Sequence, residues 1–381
     1  MWQGGEKACC AWEQEENHER HSTPVVGKCQ FRKLVNTNQA QEMKDRSLFV
    51  LLAYAASAGV VLAAAAPESK STQGNDLHAR TDAAVREALS GGSVPSVSLA
   101  VVQDGRLAHV QAYGRARLSP ERSATPTTRY SIGSVSKQFT AAAILILAEE
   151  GKLRLDDPVA RFMPQLTRAG EVTLRQLLSH TSGYQDYWPQ DYVIPVMLEP
   201  VSPTQILQGW ASKPLDFEPG TDWQYSNTGY VIAGLIVEQV SGQPLFEFLR
   251  QRIFVPLGMR SVLDVNTDRL RETDAVGYMR YGLGPLRVAP KEAKGWVFAA
   301  GELAMTAEDL AKWDLSLMNQ TLLKPESYQA MESTVVLKNG LPSSYGLGLE
   351  VTKSIWGPKL TLGSGSPNRG RRFTWQPASK A

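Results

Sequence analysis

Ser134 stands three residues ahead of Lys137 in the stretch RYSIGSVSKQF, residues 129–139, which reads as a loop tipping into a helix. One helical turn apart, the two side chains share a face, and the amine reaches the hydroxyl. A serine hydroxyl is a weak nucleophile until a neighbouring base takes its proton. Burial and adjacent donors lower a lysine pKa toward neutrality. At a helix start, Ser134 also sits beside the positive end of the dipole, where a developing oxyanion is stabilised. That chemistry is acyl transfer through a covalent serine. The spacing alone is weak evidence, since about one S-x-x-K is expected by chance in a chain of this length. A helix-capping Ser134 with a solvated Lys137 is the plain alternative.

A second stretch, FEPGTDWQYSNTGYVIAGLIVE, turns at Pro219 and Gly220 and sets Tyr225, Ser226 and Asn227 just before an apolar helix. These residues read equally well as closing a turn and capping the helix at Asn227. Any partnership with Ser134 has to be made by the fold.

Other chemistries are disfavoured. There is no G-x-S-x-G for a nucleophile elbow and no H-E-x-x-H, and past residue 66 only His78, His109 and His180 remain. A zinc hydrolase and a Ser-His-Asp enzyme are therefore poor fits. There is no phosphate-cradling G-x-x-x-x-G-K-[ST]. The net charge is +2 without a basic stripe, which points away from a nucleic-acid partner. Cys9, Cys10 and Cys29 all precede Met43, leaving the remainder without a thiol nucleophile, a disulfide or a cysteine metal site.

The ends have their own character. From Met43, Lys44 and Arg46 make a basic start, residues 48–62 an apolar run, and residues 63–66 an A-x-A cleavage site, so 43–66 reads as a secretory signal. Left uncleaved, the same run would anchor the chain in a membrane. Residues 1–42 read as upstream sequence ahead of the true start. The expected protein is thus exported, periplasmic or extracellular. Residues 67–363 form one domain and 364–381 an aberrant, frameshift-like tail.

A hydrophobic fraction of 43% and a charged fraction of 20% suit a globular domain with a sizeable core. Periodicity predicts a helix over 77–89, ended by Gly91 and Gly92. Two strand-like runs flank Asp104 and Gly105, a strong hairpin signal. Residues 134–150 read as a buried helix stopped by Gly151. Further helices are expected over 174–179, after Ser202 and Pro203, over 227–240 and 244–253, and over 306–318 with a TAED capping box. Strand-like runs return at 345–351 and 359–362. Strands at both ends with helices between predict an α+β fold (an α/β sandwich): an antiparallel sheet flanked by helices, with a large, mostly helical inserted region and a truncated C-terminal part of the sheet.

On these residues the chain resembles the serine β-lactamase and penicillin-binding superfamily, nearest the class C β-lactamases and their D,D-peptidase and esterase relatives. The resemblance runs from about residue 76 to 363. It rests on YSIGSVSKQFTAAAILILAEEGKLRLDDPV, TLRQLLSHTSG, EPGTDWQYSNTGYVIAGLIVEQVSG, IFVPLGM and TAEDLAKW in family order. It implies Ser134 as nucleophile, Lys137 as its activator and Tyr225 as second proton carrier. Asn227 would hydrogen-bond Lys137 and the substrate amide, with no cofactor and no metal. His180, in the family's HTSG run, ends a helix and reads as structural. Tyr184, Tyr187, Trp188, Trp223 and Trp296 read as cleft lining or as core.

The family's third motif, K-T-G or H-x-G on a C-terminal strand, is not found in SGSPNRGRRFTWQPASKA, and no strand or helix is expected after Gly363. Its loss would remove one oxyanion donor and predicts little or no activity for the chain as written. The expectation is an exported serine hydrolase acting on β-lactams, D-Ala-D-Ala-type peptides or small esters, on a small-molecule or peptidoglycan-derived substrate. A non-catalytic penicillin-binding or peptidoglycan-sensing module, or a truncated inactive member, stays open, as does the oligomeric state.

Overall fold

The first strand, β1 (Val60–Leu62), runs parallel to β2 (Ser96–Gln103), and α1 (Gln73–Ser90) lies between them in the chain. The structure, a computed structural model, describes residues 60–62, 73–91, 94–190, 192–268, 270–353, 359–363 and 372–375. All belong to the larger of two compact units, Leu52–Ala381. β1 falls inside the segment read as a signal. The rest of that segment, and residues 1–42 with the three cysteines, lie outside the described residues.

β2 returns as β3 (Arg106–Leu118) through the expected hairpin. Asp104 and Gly105 both have positive φ, 51° and 70°. That is the backbone a two-residue turn needs to match the strand twist. A short β4 (Glu121–Ser123) completes the ladder β1-β2-β3-β4. The β1/β2 pair is parallel and the other pairs of this ladder are antiparallel, within the α+β architecture expected.

Alternation along β2 makes the layers. Leu99 and Val101 pack with Val85, Leu77 and Leu89 of α1. Ala100 and Val102 turn the other way, onto Ala307 and Ala311 of α7 (Ala307–Asn319). Opposite faces of one strand therefore bury different helices, and the small alanines let α7 sit close.

The main core is helical. α2 (Lys137–Glu149) is buried along almost its whole length, which requires its near-continuous apolar run from Phe139 to Leu147. Around it lie α3 (Leu174–Leu178), α4 (Pro203–Trp210), α5 (Asn227–Ser241) and α6 (Leu245–Leu249), the last passing into a π-turn at Arg250–Phe254. α3 and α4 start on capping boxes, Thr173 with Gln176 and Ser202 with Gln205. In α7 only half of the TAED box forms. Thr306 accepts from the Asp309 N–H, but the Asp309 carboxylate takes Ser261 and Lys312 instead.

β5 (Tyr130–Ser131) and β6 (Leu263–Asp264) flank β9 (Leu303–Met305). β7 (Tyr278–Met279) pairs with β8 (Arg287–Val288), and α8 (Pro325–Glu332) follows α7. β10 (Glu350–Lys353), β11 (Lys359–Gly363) and β12 (Arg372–Trp375) form a separate antiparallel ladder. β12 corrects the expectation that no strand follows Gly363. Its Phe-Thr-Trp run has the aromatic and β-branched composition that suits a strand. Residues 364–371 and 376–381 of the expected aberrant tail lie outside the described residues.

Candidate active site

Ser134 is reached directly from β5. Ile132 donates its N–H to Leu303 O at 2.9 Å, and Ser136 Oγ accepts the Leu303 N–H at 3.1 Å, so β9 pins both sides of the serine turn. Gly133 has φ 53°, an angle glycine takes without steric cost. Residues Gly133–Ser136 form a single 3₁₀ turn, and α2 begins only at Lys137. Ser134 is half-buried at this junction.

Lys137 is fully buried. An ammonium in such a place has to be hydrogen-bonded, and it is. Nζ donates to Ser134 Oγ at 3.1 Å, to Asn227 Oδ1 at 2.7 Å and to Ala300 O at 2.7 Å. Ala300 belongs to a turn in which Ala299 has φ 57° and its carbonyl accepts from Thr140 Oγ1 at 2.7 Å. Nζ also lies 4.9 Å from the Tyr225 ring centroid and 5.4 Å from that of Tyr230. The fold thus brings together all four residues singled out in the sequence.

Asn227 does not cap α5. Ser226 does, its Oγ accepting the Gly229 N–H. Asn227 becomes the first helical residue, with its side chain free to face Lys137. The residue between Tyr225 and Asn227 is therefore the cap, and its two neighbours lie beside Lys137 Nζ.

His180 ends its helix with a left-handed φ of 61°, yet it lies against the site. Nδ1 accepts the Ser226 N–H at 3.1 Å, and the ring packs on Tyr225 with centroids 4.3 Å apart. Tyr230, Tyr345 and Trp223 close the cage around it. Burial, then the Lys137 charge, hold His180 well below its ordinary value, so the imidazole is neutral. Burial likewise raises Tyr230 and Tyr345 well above the usual phenol value. Tyr184, Tyr187 and Trp296 are core residues, Tyr187 donating to Trp296 O. Trp188 and Trp223 are half-buried.

Asp186 was not legible as a site residue. Its Oδ1 accepts from the Asn227 N–H at 3.0 Å and from Asn227 Nδ2 at 3.1 Å, and Oδ2 lies 3.2 Å from Nδ2. Burial pushes its carboxyl up, opposed by donors from Trp188 and Asn227 and by the Lys137 charge. No spacing rule links Asp186 to Asn227, because the pairing is tertiary. Among the described residues no group of His, Cys, Asp and Glu is arranged to hold a metal ion.

The beta-lactamase family model matches residues 81–375. The chain belongs to the beta-lactamase family. Protein flp of Staphylococcus aureus (strain MW2) is 29% identical over 71% of this chain and 56% of its own length. The putative penicillin-binding protein PbpX of Bacillus subtilis (strain 168) is 28% identical over 66% of this chain and 61% of its own length. The chain spans about half to three-fifths of the length of such curated family relatives. Among solved members, the D-amino acid amidase of Ochrobactrum anthropi SV3 complexed with L-phenylalanine superposes with a TM-score of 0.67 at 27% identity, covering 76% of this chain and 85% of that one. The octameric penicillin-binding protein homologue of Pyrococcus abyssi gives 0.65 at 29% identity, covering 76% and 68%. The superfamily is one of serine hydrolases, and the α+β fold is the family's.

Proposed function

We propose that the chain is an exported serine hydrolase that forms an acyl-enzyme on Ser134. The observation that carries this is the set of partners around Lys137 Nζ. Two of them, Asn227 Oδ1 and Ala300 O, are acceptors only, whereas the Ser134 hydroxyl both donates and accepts. A neutral amine keeps two N–H donors and one lone pair. With two donors given to Asn227 and Ala300, the lone pair is available to accept the Ser134 O–H. Loss of one proton from Lys137 thus aims a base at the nucleophile.

Ser134 then attacks the substrate carbonyl, and its proton passes to Lys137. Tyr225, whose ring packs beside Nζ, is the second proton carrier: it gives its phenol proton to the leaving group and recovers one from the Lys137 ammonium. Asn227 holds Lys137 and accompanies the substrate amide. Water releases the acyl group in a second half-reaction. The amidase among the structural neighbours favours amides and peptides ending in D-amino acids over simple esters, and β-lactams are mimics of the same class. No cofactor enters any step.

A fluorophosphonate probe tests this directly. It should label the chain at Ser134, slowly because the third-motif oxyanion donor is missing, and fail to label Ser134→Ala. Label mapped to another residue, or retained in Ser134→Ala, overturns the assignment. The putative penicillin-binding relative motivates a second reading, a sensor that acylates without turnover. A stoichiometric burst with a β-lactam and no steady state would favour it over the hydrolase.

A further inference from the structure

We propose that Asp186 is a positioning residue of this site, fixing the Asn227 side chain so that its oxygen, not its nitrogen, faces Lys137. This rests on the reading of Ser134 and Lys137 given above. An asparagine amide is nearly symmetric in shape, and two orientations fit the same space. Here chemistry chooses between them. A carboxylate accepts only, so Nδ2 must face Asp186, and Oδ1 then faces the Lys137 amine at 2.7 Å. The reverse orientation would set an N–H pair against the amine and an oxygen against a carboxylate.

The Asp186 carboxylate is itself held firmly. Oδ1 also accepts the Trp188 N–H at 3.1 Å. The Asn227 N–H it accepts is the first of the fifteen-residue α5, whose dipole favours a negative charge there. Thr228 Oγ1 donates to Gln185 O at 2.6 Å, tying the neighbouring loop residue to the same helix start. Lys137, Asn227 and Asp186 form a line of positive charge, amide dipole and negative charge. Asp186 therefore also favours the ammonium form of Lys137 and raises the pH at which it becomes a base. Tyr225, Tyr230 and a neutral His180 also face Lys137.

Fluorophosphonate labelling rates of the full chain against pH, for the wild type, Asp186→Asn and Asp186→Ala, test this. Both variants should label about tenfold or more slowly at the optimum. The acid limb of the profile should move to lower pH by at least about half a unit, because the charge that favours the ammonium is gone. In an Asn227→Ala background, Asp186→Ala should cost less than about threefold more. A rate loss with an unmoved acid limb, or full additivity with Asn227→Ala, overturns the proposal. In ¹⁵N-labelled protein the Asn227 Nδ2 signals should shift in Asp186→Asn, and this readout needs no activity. Shifted signals without any Ser134 label would sink the hydrolase reading while leaving the hold of Asp186 on Asn227 intact. Unshifted signals would overturn that hold whatever the labelling shows.

Discussion

His180 Nδ1 accepts the backbone N–H of Ser226 at 3.1 Å, which fastens the start of the HTSG run to the residue between Tyr225 and Asn227. A helix-ending histidine thereby sets the register of the site's two later residues.

His180→Phe keeps a ring against Tyr225 but leaves the buried Ser226 N–H unpaired, which should cost about 1–3 kcal/mol. It should also change the response to acid. The folded protein holds His180 well below 6.5, so below that pH the unfolded chain gains a proton that the folded one refuses. Stability is then full above about pH 6.5 and falls as pH drops toward the folded value, by up to about 1.4 kcal/mol per unit. Urea unfolding between pH 7 and 5 should show a shallower slope in His180→Phe. Equal slopes would place the acid sensitivity elsewhere.

Tyr225→Phe should slow acylation by about 10²–10⁴-fold, the usual worth of a positioned proton carrier. The ring that packs at 4.3 Å on His180 is retained, so thermal stability should hardly move. Near-normal acylation would remove Tyr225 from the mechanism.

Lys137→Met should abolish acylation yet leave unfolding free energy within about 2 kcal/mol of the wild type. Methionine escapes the penalty of burying a charge, which offsets the three donated bonds it cannot make. A large loss in a denaturant titration would mean that the lysine is chiefly a structural brace.

Gly234→Ala tests the turn behind the lysine. A Cβ there would stand 2.4 Å from Ala299 Cβ, so α5 and the turn must part. Overpacking of this kind costs about 1–3 kcal/mol. Because Ala300 O moves with the turn, acylation should fall as well. Unchanged labelling kinetics would show that Lys137 does not depend on that carbonyl.

Features written in neighbouring residues were legible from the sequence. The Asp104–Gly105 hairpin, the cap at Ser202, and the shared face of Ser134 and Lys137 each need only a few residues of context. What escaped was tertiary. Asp186 and Asn227 meet across 41 positions, and Ala300 contributes only a backbone carbonyl, which no residue type announces. The cap at α5 went to Ser226 because the Asn227 side chain had better partners in Lys137 and Asp186. The TAED box formed by half because Ser261 competes for Asp309. β9 has three residues, too few for any periodicity to declare itself.

One continuous run of chain joins the pieces. The turn at Ala299 and Ala300 receives the lysine, β9 grips the serine turn on both sides, and Thr306 then opens α7, which lies on β2. The surroundings of Ser134 and the sandwich therefore share one short stretch of backbone. A substitution that reseats α7 on β2 is expected to be felt at the carbonyl that receives Lys137, although it touches neither Ser134 nor Lys137.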